Sequence, residues 1–119
     1  MIVRQSYIEK ITPFIDMPFV KILTGVRRCG KSTIILMLMN ELKKRGISEN
    51  HILRFNFDTL EWQNVDAKQA FELIKAKLVP KNRTYLFLDE IQEIDHWERL
   101  VNTFMEETEY NVDIFVTPR

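Results

Sequence analysis

The sequence predicts an α/β fold in which a parallel sheet of about four strands carries helices on both faces. Two observations lead there. Short apolar runs rich in branched and aromatic residues alternate with stretches of helical periodicity, and no tight hairpin signal joins one strand to the next. Parallel neighbours need long crossovers, which the helical stretches supply. A chain of 119 residues fits one domain, read as a helical lid over residues 1–17 and a core over 18–119.

The opening "YIEKITPFI" sets Tyr7, Ile8, Ile11 and Ile15 at helical spacing, while Pro13 keeps any helix there short or broken. "FVKILTG" reads as a buried parallel strand ending in glycine. Lys31 to Arg45 is expected to be a helix stopped by Gly46, apolar almost all the way round and therefore largely buried. "HILRFNF" is a second strand. "DAKQAFELIKAKLVP" follows as an amphipathic helix with Ala67, Ala70, Phe71, Ile74 and Leu78 inward and Pro80 closing it. "TYLFLDE" is a third strand. In "DHWERLVNTFMEE", Asp95 and Glu98 have capping-box spacing, and Trp97, Leu100, Val101, Phe104 and Met105 face inward. "VDIFVT" is a fourth strand.

Lysine plus arginine equal aspartate plus glutamate at 17 each, so no global field favours nucleic acid or an anionic membrane. The single cysteine cannot make an intramolecular disulfide. The N-terminus lacks a signal-peptide core, and "IILMLM" is too short to cross a bilayer. A soluble, cytoplasmic protein is the expectation. His51 and His96 lack metal-site partners and are expected at the surface, and the five methionines are read as core filler.

Gly25, Gly30, Lys31 and Ser32 match G-x-x-x-x-G-K-[ST] between a strand and a helix, the setting a phosphate-binding loop requires. Glycines permit the tight turn that aims backbone N–H groups at a phosphate, and the following helix adds its positive end. The cradle would comprise Gly25, Val26, Arg27, Arg28, Cys29, Gly30, Lys31, Ser32 and Thr33. Lys31 would reach the β- and γ-phosphates of ATP, Ser32 would hold Mg2+, and Thr33 would cap the helix or meet the α-phosphate. Arg27 and Arg28 are read as solvated and Cys29 as a small filler.

"YLFLDEIQ" ends an apolar strand in two carboxylates, at the end of the sheet where open α/β folds gather ligands. Asp89 is expected to support the magnesium through its water shell, and Glu90 to act as the base that orients water. The aspartate-x-x-glycine and asparagine-lysine-x-aspartate patterns of a GTPase are missing from the sequence.

"LTGVRRCGKST", "YLFLDEIQ", the tryptophan of "DHWERL" and "VDIFVT" together resemble the N-terminal ATPase part of a family of bacterial and archaeal AAA-type ATPases. The resemblance implies Gly25, Arg27, Arg28, Gly30, Lys31 and Ser32 in a Walker A loop, with Asp89 and Glu90 as the Walker B pair. Gln92 matches a family glutamine, and Trp97 reads as packing. Thr117 fits the family's strand-ending threonine, but Pro118 and Arg119 stand where the family continues with glycine and serine. The chain thus looks like part of a longer ATPase, with weak or absent hydrolysis of its own. An unflanked phosphate-loop strand would be a sheet edge, and self-association through it is expected. The alternatives are a non-enzymatic oligomerising or partner-binding module and a nucleic-acid-associated motor subunit, the latter without support from charge.

Overall fold

A computed structural model describes residues 8–23, 30–79, 81–107 and 109–118. Residues 8–11 form one helical turn that passes into a 3-10 turn, Thr12–Phe14, at Pro13. The main elements are β1 (Lys21–Ile22), α1 (Lys31–Lys44), β2 (Ile52–Asn56), α2 (Ala67–Lys75), β3 (Thr84–Asp89), α3 (Trp97–Glu106) and β4 (Val112–Thr117). All strand pairings are parallel, in the order β1-β4-β3-β2. The expected parallel α/β sheet is therefore present, and β1 is an edge. Tyr7 and Pro80 lie outside the described residues.

Alternation along the strands splits the core in two. Leu86, Leu88, Ile114 and Val116 pack with Ala70, Ile74, Leu100, Val101 and Phe104 of α2 and α3. Phe87 and Phe115 face the other way, against Ile34, Ile35, Leu38 and Leu42 of α1, joined by Ile8 and Ile15. Both central strands are buried throughout, which explains their unbroken apolar runs.

Gly46, with φ of 92°, follows the end of α1 in the left-handed conformation that glycine adopts without steric cost. Asp66 caps α2 in a reciprocal pair with Gln69: each residue's side chain accepts the other's backbone N–H, at 2.8 and 3.0 Å.

Four expectations need correction. Asp95 does not cap α3, because His96 occupies the N-cap in a left-handed conformation and no side chain caps the helix there. α1 is not buried all round, since Leu36 is 52% exposed on the face turned from the sheet. Met17 is 44% exposed and so is not core filler. His51 is buried, its Nδ1 3.4 Å from Thr84 Oγ1, because the 3-10 turn Glu49–His51 folds it beneath the start of β2. His96 is exposed as expected.

Candidate functional site at the C-terminal rim of the sheet

Parallel strands end on the same side, and the register brings Asn56, Asp89 and Thr117 level across β2, β3 and β4. Leu23 joins them, its N–H donating to the Val116 carbonyl at 2.8 Å as the chain leaves β1. The next residues in the chain are 24–29. They include Gly25, Val26, Arg27, Arg28 and Cys29, which lie outside the described residues. The described chain resumes at Gly30, whose φ of 84° and ψ of 88° at the N-cap of α1 suit glycine. Lys31, Ser32 and Thr33 form the first turn of α1.

The α1-facing side of the sheet is layered. Nearest the strand starts, Asp113 pairs with Lys21 and accepts the Asp16 N–H at 2.8 Å. Asp16 in turn accepts from the Tyr85 hydroxyl at 2.6 Å and from Arg83 at 3.1 Å. This network fastens the N-terminal segment to β1, β3 and β4. Above it, Phe87 and Phe115 stack at 4.8 Å. At the rim the residues become polar again: Arg54, Asp89 and Thr117.

Asp89 is 2% exposed. Its Oδ1 accepts the Thr117 hydroxyl at 2.7 Å, and its Oδ2 accepts Arg54 Nη2 at 3.0 Å. A carboxylate this deeply buried needs such donors. Glu90 is also buried and is left-handed, with φ of 56° and ψ of 46°. Its N–H donates to the Thr117 carbonyl at 3.0 Å, and Thr117 Oγ1 lies 3.3 Å away. That contact holds a strained backbone in place, turning the residue after β3 off the strand line. The two acids are therefore not a pair of solvated surface carboxylates.

Asp89 and Glu90 stand together at the rim, and Thr117, read in the sequence only as a strand end, touches both. Arg54 was missed, although an arginine inside the apolar run "HILRFNF" marks a strand residue in need of a buried partner. Arg54 lies diagonal to Asp89 on the same face, within reach of a long side chain. The Gln92 amide reaches Glu93 at 3.4 Å. A separate groove of about 510 Å³ opens between α2 and α3, beside Phe71, Asp95, His96 and Arg99, on the side of the sheet away from α1.

The donors at the rim suit a hard cation. Among the described residues no three His, Cys, Asp or Glu side chains form a metal-holding group. One oxygen-bearing acid and its neighbour fit an ion such as Mg2+, which is held by one or two carboxylates together with substrate phosphates. Among the described residues no helix is long and apolar enough to cross a membrane.

The four-stranded parallel sheet with helices on both faces is the α/β fold of a P-loop, AAA-like domain. The chain belongs to the AAA domain family, whose model matches residues 18–118. It is 34% identical to an uncharacterized protein of Haemophilus influenzae over 98% of this chain and 29% of that protein. It is 32% identical to uncharacterized protein MJ1544 of Methanocaldococcus jannaschii over 82% of this chain and 20% of that protein. A second protein of that archaeon, MJ1637, is 28% identical over 92% of this chain and 24% of its own length. The chain spans less than a third of the length of these relatives. No solved structure matches it significantly.

Proposed function

We propose that residues 18–119 form a nucleotide-binding core that binds ATP with Mg2+ and supports its hydrolysis to ADP and phosphate, with residues 1–17 packed over it. The observation carrying this reading is the buried Asp89 carboxylate, oriented by Thr117 at the C-terminal rim of the sheet. In this reading the loop from Gly25 to Thr33 wraps the phosphates with backbone N–H groups, and Lys31 neutralises the β- and γ-phosphates. Ser32 and Asp89 would hold the magnesium, Asp89 through its water shell. The ion's contribution is to offset charge on the β- and γ-phosphate oxygens. Glu90 orients water for attack, its position fixed by the left-handed turn and the contact to Thr117.

Glu90→Gln tests the assignment. In a protein of the relatives' full length it is expected to keep Mg·ATP binding while phosphate release falls about a hundredfold or more, the scale of a lost general base. Unchanged phosphate release would remove Glu90 from the role.

A second reading, self-association, is favoured by the apolar surface beside β1. Ile22 is 53% exposed on that edge strand, and Phe14, Met17 and Phe19 are each more than two-fifths exposed. Edge strands with apolar surroundings pair with further strands. Light scattering of parent and Ile22→Lys chains tests it: the parent should be larger than a monomer and the variant smaller.

A further inference from the structure

We propose that Arg54 is a positioning residue that occupies Asp89 in the absence of a cation, making tight divalent-cation binding conditional on nucleotide. The inference rests on the ATPase reading above.

Arg54 stands on β2, outside both sequence patterns that make up the candidate site, yet its guanidinium lies 3.0 Å from Asp89 Oδ2. Thr117 holds the other oxygen at 2.7 Å. Both carboxylate oxygens thus have donors, which together fix the plane of the group. Arginine remains charged at all relevant pH values, so the charge facing Asp89 cannot be lost by deprotonation.

A dication approaching the rim alone meets a carboxylate already balanced by a guanidinium and feels little net attraction. Nucleotide phosphates supply the missing negative charge, and the ion gains a site once they are present. Asp89 is 1 of the 2 partners that is almost wholly buried, whereas the Arg54 side chain is 27% exposed. Arg54 therefore has water beside it and a flexible stem that can move its head outward, while Asp89 stays in place. Among the described residues the acceptors at the rim are carboxylate and hydroxyl oxygens, which favour a hard divalent cation.

The probe is Mn2+ alone, followed by the electron paramagnetic resonance of the free ion, with the folded state of each chain checked by circular dichroism. Without nucleotide, Arg54→Gln is expected to bind Mn2+ about tenfold more tightly than the parent. Arg54→Lys keeps the charge and should bind as weakly as the parent. Adding Asp89→Asn to Arg54→Gln should abolish the gain. A merely structural Arg54 would give no gain in affinity. Equal binding by Arg54→Gln and the parent, a gain shared by Arg54→Lys, or a gain that survives Asp89→Asn would each overturn the proposal.

Should Arg54→Gln fail to fold, the unaltered chain decides by nuclear magnetic resonance of the arginine side chains. The Arg54 guanidinium signal should shift when Mg2+ is added to the nucleotide-loaded chain, and an unmoved signal overturns the proposal. Failure of the underlying reading looks different: the parent would then bind no Mg·ATP at all. Parent binding of Mg·ATP with no Arg54 effect would reject Arg54 alone.

Discussion

The Thr117 hydroxyl donates to Asp89 Oδ1 at 2.7 Å, joining the last residues of β4 and β3 where the two strands run level. Burial makes this bond costly to lose, because the carboxylate cannot turn to water for a replacement donor. Thr117→Val should destabilise the chain by about 1.5–3 kcal/mol, the range for a bond to a charged group. Thr117→Ser keeps the hydroxyl and should retain most of that stability. Urea unfolding of the three chains checks both outcomes.

The opposite end of the α1-facing side is held by the buried Lys21–Asp113 pair. Burial holds the Asp113 carboxyl above the ordinary carboxylate range, with Lys21 and the Asp16 N–H pulling the other way. Desolvation thus outweighs the attraction. Removing either partner alone, as in Lys21→Met or Asp113→Leu, should cost about 3–5 kcal/mol, because a buried charge is left uncompensated. The double variant should cost less than either single change, as denaturant midpoints would show.

Tyr85 gives a pH prediction. Burial, followed by its hydrogen bond to Asp16, raises the phenol above the ordinary tyrosine range. The folded chain therefore keeps this proton more tightly than the unfolded chain does. The resulting stabilisation is complete below the ordinary tyrosine pKa of about 10 and is lost as pH rises from there toward the raised folded value. Phenolate absorbance of parent and Tyr85→Phe chains should rise identically until alkaline unfolding. An extra phenolate in the folded parent near the ordinary range would contradict this.

Much of this fold is legible in the sequence, for physical reasons that differ by element. β3 and β4 are buried on both faces, so "YLFL" and "IFV" announce themselves as unbroken apolar runs. α2 and α3 bury one stripe each and carry the matching helical period. The errors fall where tertiary contacts decide. His51 looks like a surface residue until the turn before β2 places it against Thr84, and the α3 cap depends on the left-handed backbone at His96. In the candidate site, the acids at 89 and 90 stand out by their position after an apolar strand. Arg54 does not, because its role depends on the register between β2 and β3, which local pattern does not set. Thr117 was visible as a strand end, but its bond to Asp89 emerges only when the sheet is assembled.

In the proposed function, residues 25–33 and Asp89 together make a working nucleotide site. Calorimetric titration of the 119-residue chain with Mg·ATP, run beside Lys31→Ala, tests it most directly. Saturable binding by the parent that disappears in Lys31→Ala is the predicted result. Equal binding by both chains, or none by either, would show that these residues form no such site.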